Sequence, residues 1–226
     1  MTAIPTSIPD RDLRQRDIVP RKALAKCHVT VIGVGAIGRQ VALQLAAMGV
    51  PWLQLIDYDA VEAVNLAPQG YLEADLGKPK IEATAALCRQ FNSQLELVEV
   101  RGRYRRSQAE IGDTVFCCVD SIETRCLIWE SLRDRVRFWC DGRMSAEVLR
   151  VLTVADTPSR SHYPTTLFTV GEAFRGACTA KSTIFCANIA AGLMVAQFAK
   201  WLRRLPMDAD LTLNLLAGEW SVAGGT

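Results

Sequence analysis

A chain of 226 residues, half of them hydrophobic and with a formal net charge of +2, is long enough for one sizeable core and too short for two ordinary domains with long linkers. The near-neutral balance excludes a global attraction to nucleic acid or to a membrane surface, and the basic run Arg101-Gly102-Arg103-Tyr104-Arg105-Arg106 reads as a solvated loop. Eight cysteines without a single Cys-x-x-Cys pair fit reduced, mostly buried thiols of a cytoplasmic protein, not a disulfide scaffold or a structural zinc site.

Residues 1–20 read as an N-terminal arm without the apolar core of a signal peptide, ahead of a single domain over 21–226. The β-branched apolar run 29–34 predicts a strand. Ile37, Val41, Leu45 and Met48 recur at spacings of three and four and predict a helix that stops at Gly49. A second strand is expected over 52–57, then a loop over 58–78, and then a helix opened by Pro79 and running to about Phe91. Further strands are expected at 95–100 and 114–119, a helix at 122–132, and two more strands at 136–140 and 147–154.

The stretch 155–180 is rich in Pro, Gly, Ser and Thr and reads as a long irregular loop, a length that is usually functional or disordered. Residues 182–202 approach transmembrane length but contain Asn188, Gln197 and Lys200, so a buried helix is expected and no membrane span. A closing strand is expected at 211–216. Alternating strands and helices of this kind make an α/β fold: a Rossmann-like, doubly wound, mostly parallel sheet with helices on both faces.

Gly33-Val34-Gly35-Ala36-Ile37-Gly38 follows a strand and opens a helix, which is the setting of a phosphate-binding turn. Gly33 permits the turn, Gly35 lets backbone approach phosphate, Gly38 lets helix and strand meet, and the helix N-terminus offers free N–H groups. Asp57, at the end of the next strand, is placed to accept hydrogen bonds from ribose hydroxyls. A plain dinucleotide enzyme would stop there. Here Asp57-Tyr58-Asp59, Asn65-Leu66 with Gln69, Gly77-Lys78-Pro79-Lys80, and Cys118-Val119-Asp120 with Arg125 form an ordered series of polar groups at the carboxyl ends of successive strands. Cations beside carboxylates suit a triphosphate with magnesium better than a hydride carrier.

With Arg11-x-x-Arg14-Gln15 ahead of the first strand, this series resembles the ThiF/MoeB-type superfamily of ubiquitin-activating enzymes and sulfur-carrier activators, from about Arg11 to about Leu205. The resemblance implies an adenylyltransferase that joins ATP to the C-terminal glycine of a ubiquitin-like or sulfur-carrier protein, with release of pyrophosphate and with a conjugating enzyme as a further partner. It implies that Asp57 binds ribose and Lys80 the phosphates, that Asn65 and Gln69 serve the phosphate side or its cation, and that Asp120 holds Mg2+. It also implies that Arg14 reaches the ATP of a second subunit in a homodimer. Asp59 is either part of this cofactor-binding set or a residue of the turn.

Cys178, in Ala177-Cys178-Thr179, resembles the cysteine at which ubiquitin-activating enzymes form a thioester, and also the structural cysteine of shorter relatives. Where many relatives read Asn-Leu-x-Arg-Gln this chain has Pro68, one cation fewer in the phosphate clamp, with Arg39, Arg14 or Lys78 left to compensate. Two other readings stay open: an ATP-dependent tRNA-nucleoside dehydratase of the same superfamily, against which the lack of a broad basic surface speaks, and a nucleotide-binding scaffold with impaired catalysis. His28 reads as packing beside a strand, His162 has no partner in the sequence pattern, Cys186 reads as core, and the terminal Gly224-Gly225-Thr226 as a flexible end.

Overall fold

The computed structural model describes residues 10–107, 110–167 and 182–223. In chain order the elements are α1 (Arg21–Leu24), β1 (His28–Ile32), α2 (Ala36–Met48), β2 (Trp52–Asp57), α3 (Ala63–Gln69), α4 (Lys80–Phe91), β3 (Glu96–Arg101), β4 (Thr114–Cys117), α5 (Ile122–Leu132), β5 (Phe138–Ser145), β6 (Val148–Val154), α6 (Thr157–His162), α7 (Ile184–Leu202), β7 (Asp210–Asn214) and β8 (Glu219–Ala223). Single 3-10 turns cover Glu73–Asp75 and Tyr163–Thr166.

All eight strands join one sheet in the order β3-β2-β1-β4-β5-β6-β7-β8. From β3 to β5 every pairing is parallel, and from β5 to β8 every pairing is antiparallel. The parallel part is buried on both faces, as crossover helices require. In β1, Val29 and Val31 point to one face, where they join Val41 and Leu45 of α2, Ile81 of α4 and Ala190 and Met194 of α7. Ile32 points to the other, against Ile128 and Trp129 of α5 and Trp139 of β5.

Helix α7 is long and apolar enough to cross a membrane by length and composition. Here its Ala187, Ala190, Ala191, Met194 and Phe198 are fully buried in the core it shares with α2 and the sheet, as expected of a core helix. Helix α2 ends where the spacing predicts, at Gly49 with φ +97°, a left-handed cap that satisfies the last carbonyls.

The structure departs from the sequence reading in four places. The expected loop at 58–78 contains α3, a seven-residue helix that hides its character because Val64 is exposed and Pro68 sits inside it. The expected irregular loop at 155–180 begins with α6, capped by Asp156, whose carboxylate accepts from Ser159 N at 2.8 Å. Strand β5 runs on to Ser145 through Gly142 and Arg143, and pairs with β6 in a tight hairpin. Strand β8, an exposed edge, had no alternation of buried residues to announce it. Residues 10–20, read as an arm, run in turns against the C-terminal end of α2, where Arg11 donates to Ala47 O at 2.9 Å and Gln15 to Met48 O at 3.0 Å.

Candidate active site

From β1 the chain builds outward to β2 and β3, then crosses back to lay β4 on the other side of β1. The crevice beyond the carboxyl ends of β1 and β4 is therefore the topological switch point, where open α/β sheets bind ligands. Its floor is the turn from Gly33 to Gly38. Gly33 adopts φ +87°, and a Cβ there would stand 2.8 Å from the carbonyl oxygen of Cys118, at the end of β4. At Gly38 a Cβ would run into the carbonyl oxygen of Gly33, so the helix can approach the turn only without one. Gly35 faces open space: the nearest atom to an added Cβ is Gln69 Oε1 at 4.0 Å. No side chain caps α2, and no acid occupies its first turn, which leaves its N–H groups and positive potential free for an anion.

Asp57, buried at the end of β2, holds this turn from the side. Its Oδ2 accepts from Val34 N at 2.6 Å and its Oδ1 from Asp59 N at 2.8 Å. Each oxygen keeps a lone pair for a ribose hydroxyl. Lys80 opens α4 and is 6% exposed, and its ammonium donates to Asp59 Oδ2 at 3.0 Å while its backbone N–H donates to Asp59 O at 2.9 Å. The expected lysine is thus buried and held at the crevice by Asp59, which gives that acid a definite task.

Asn65 and Gln69 both lie on α3. Asn65 Oδ1 accepts from Glu62 N at 3.0 Å and closes the first turn, so its amide N–H groups remain to meet phosphate. Gln69 Oε1 is buried without a partner, beside Gly35. Tyr71 follows, fully inside, with its hydroxyl donating to Val34 O at 2.6 Å and lying 3.2 Å from Thr84 Oγ1, and so ties the phosphate turn to α4. Burial pushes the Tyr71 hydroxyl well above its usual value, which keeps it a donor.

On the far wall, Asp120 follows β4. Its carboxylate is exposed and meets no partner among the described residues. Such a carboxylate fits magnesium, which uses one or two acids and takes its other ligands from substrate phosphates and water. The loop is held by Arg125: Nη1 donates to Asp120 O at 3.3 Å, Nη2 to Gly142 O at 3.0 Å, and Nε to Asp141 Oδ1 at 2.8 Å. Asp141 has no exposure and also accepts from Arg143 Nε at 2.8 Å and from the Tyr163 hydroxyl at 3.0 Å. Burial favours its neutral form, but the two guanidiniums win and hold it below the usual carboxylate value. Sequence reasoning missed Asp141, Arg143 and Tyr163. The available signal was an aspartate inside the apolar run Phe138-Trp139-Cys140, where a lone charge has to be paired.

Other residues stand apart. Arg14 is exposed among residues 10–20, which dock on the end of α2 away from the phosphate turn, about 20 Å along a helix of this length. It does not join the site of its own chain. Cys178 lies outside the described residues, as do Gly224, Gly225 and Thr226. Cys186 is buried as expected, and burial raises its thiol. The seven described cysteines are all free thiols, and burial pushes Cys88 and Cys117 up to about 12. His28 stacks on Trp52 with centroids 5.2 Å apart, and His162 finds a partner far in sequence, Asp210 Oδ2 at 2.9 Å.

Comparison with known proteins returns the same family that the motifs suggest. The ThiF family matches residues 10–218. The chain is 42% identical over 87 residues to the adenylyltransferase and sulfurtransferase MOCS3 of Arabidopsis thaliana, 38% of this chain and 19% of that protein. It is 40% identical over 114 residues to MOCS3 of Mus musculus, 46% of this chain and 24% of that protein. The chain thus corresponds to a quarter or less of these curated relatives. Among solved structures, PaaA superposes with a TM-score of 0.76 at 18% identity, covering 98% of this chain and 85% of that one. Escherichia coli MccB, crystallised with ATP, superposes with a TM-score of 0.72 at 16% identity, covering 96% and 72%. At those identities the structures establish the fold alone.

Proposed function

The chain belongs to the ThiF family, and from that premise we propose that it is an ATP-dependent adenylyltransferase that activates the C-terminal glycine of a ubiquitin-like or sulfur-carrier protein. The observation that carries this reading is the convergence, at one sheet edge, of a free helix N-terminus, a buried lysine and an exposed aspartate that meets no partner among the described residues. That set of charges suits a magnesium-bound triphosphate. The names of the curated relatives and the ATP in the MccB crystal support the same chemistry.

In the proposed reaction a carboxylate oxygen of the carrier attacks the α-phosphorus, the bond to the β-phosphate oxygen breaks, and the products are an acyl-adenylate and pyrophosphate. The difficulty is to bring two anions together, and positioned positive charge is the remedy. Gly35 and the α2 N–H groups take phosphate oxygens, and Asp57 takes the ribose hydroxyls. Lys80 exchanges part of its bond to Asp59 for phosphate oxygen, and Asn65 offers its amide N–H groups. Asp120 is the residue that would hold Mg2+, which would supply positive charge beside the departing phosphates. Arg14 acts across a homodimer, because within one chain it is too far away. A thioester step on Cys178, a conjugating enzyme downstream and a cytoplasmic setting complete the reading.

Carrier-dependent ATP–pyrophosphate exchange tests it. Exchange is expected with a small protein ending in glycine, and to fall by about 100-fold or more in Asp120→Ala. Tight ATP binding without exchange for any carrier would favour the impaired scaffold, and a salt-sensitive tRNA complex would favour the dehydratase.

A further inference from the structure

Among the described residues, four buried side-chain polar atoms lack a hydrogen-bond partner. Two are the indole nitrogens of Trp129 and Trp139, inside an aromatic cluster with Tyr163. The other two are Gln69 Oε1, beside Gly35, and Nε of Arg39, the residue that follows Gly38 at the end of the phosphate turn. Arg39 is the more costly of the pair. It is 1% exposed, and its guanidinium makes no hydrogen bond or ion pair with any described residue. Its one contact of note is the ring of Tyr71, 4.5 Å below the guanidinium carbon.

A buried charge without a hydrogen-bonded acceptor is expensive, and an apolar side chain of like volume in its place is often neutral or stabilising. Folding alone therefore gives no reason for an arginine here. Its location gives one. Residue 39 lies one turn into α2, with its backbone N–H donating to Gly35 O at 3.1 Å. The ring beneath it belongs to the tyrosine whose hydroxyl holds Val34 O, inside the same turn. The carboxylates nearby are already engaged. Asp57 accepts from the turn and from Asp59 N, and Asp75, which faces Arg39, is paired with Lys78 at 3.1 Å. The guanidinium stays protonated at any physiological pH.

We propose that Arg39 is the fixed counter-charge of the nucleotide's phosphate chain: a guanidinium set beneath the phosphate turn, without a hydrogen bond or ion pair among the described residues, whose field adds to that of the α2 N-terminus. It is a positioning residue, acting through the turn and the low-dielectric interior, and its deduction rests on the reading of this crevice as an ATP site. A unit charge at roughly 10 Å, acting through an effective dielectric of ~20, changes affinity for one phosphate charge by about tenfold.

Calorimetric titration of the whole protein with ATP and with adenosine, for wild type and Arg39→Met, decides the matter. Arg39→Met is expected to bind ATP about tenfold more weakly or worse, to bind adenosine within twofold of wild type, and to unfold without nucleotide at an unchanged or higher temperature. ATP affinity within twofold of wild type overturns the proposal, and so does an equal loss for both ligands, which marks a local structural role. Should Arg39→Met fail to fold, Arg39→Gln carries the same comparison. Wild-type protein that binds neither ligand would overturn the ATP reading itself, a result distinct from a wild type that binds ATP and a variant that binds it equally well.

Discussion

Two arginines lie buried on either side of the phosphate turn, and their surroundings are opposite. Arg125, on the β4 side, uses its guanidinium on Asp141, Asp120 O and Gly142 O, and Asp141 in turn takes Arg143 and Tyr163. Arg39, on the β2 side, has an aromatic ring beneath it and no hydrogen-bond acceptor among the described residues. A saturated arginine fixes a wall of the crevice. An unsaturated one stores positive charge at the place where an anion is to arrive. Burial is nearly equal, 6% and 1% exposed, so partners distinguish the two roles and depth does not.

The largest expected effect would break the saturated side. Arg125→Met leaves Asp141 buried with one guanidinium fewer, and should cost about 3–5 kcal/mol in urea unfolding. A loss under about 1 kcal/mol would show that the network is not what holds the Asp120 loop. Next comes the seam between the two sides. Gly33→Ala presses a methyl group on the Cys118 carbonyl at positive φ and should cost about 1–3 kcal/mol, with weaker nucleotide binding; full retention of both would mean the turn yields freely.

Acid should act on the saturated side through Asp141. Asp141 is held below its ordinary value, so its pairing contributes fully above the unfolded carboxylate pKa of about 4 and is lost as pH falls through the lower folded value. Stability measured below about pH 4 should fall by up to ~1.4 kcal/mol per pH unit for this group, and more shallowly in Asp141→Asn. A variant with the wild-type slope would remove Asp141 from the account. The smallest effect belongs to the other arginine: Arg39→Met should shift unfolding free energy by less than about 1 kcal/mol, or raise it. A loss comparable with that of Arg125→Met would erase the contrast.

Much of this is legible in the amino-acid sequence. The phosphate turn announces itself because strand, glycine spacing and helix are all local, and β1, α2 and β2 fall within two residues of their expected bounds. Helix α3 was hidden by its shortness and by Pro68, and α6 by the same Pro- and Ser-rich composition that marks a loop, although Asp156 three residues before Ser159 was a usable cap signal. Strand β8 was hidden because it buries nothing.

By itself the sequence determined the doubly wound fold, the turn from Gly33 to Gly38, and the identity of Asp57, Lys80 and Asp120 as residues of one sheet edge, since backbone periodicity and glycine chemistry act over a few neighbours. Only the tertiary structure decided which charges are paired. Lys80 meets Asp59 across 21 positions, Arg125 meets Asp141 across 16, and Arg39 meets the Tyr71 ring but no acceptor among the described residues. Electrostatic energy depends on distance in space and on exclusion of water, and neither is written in the order of residues.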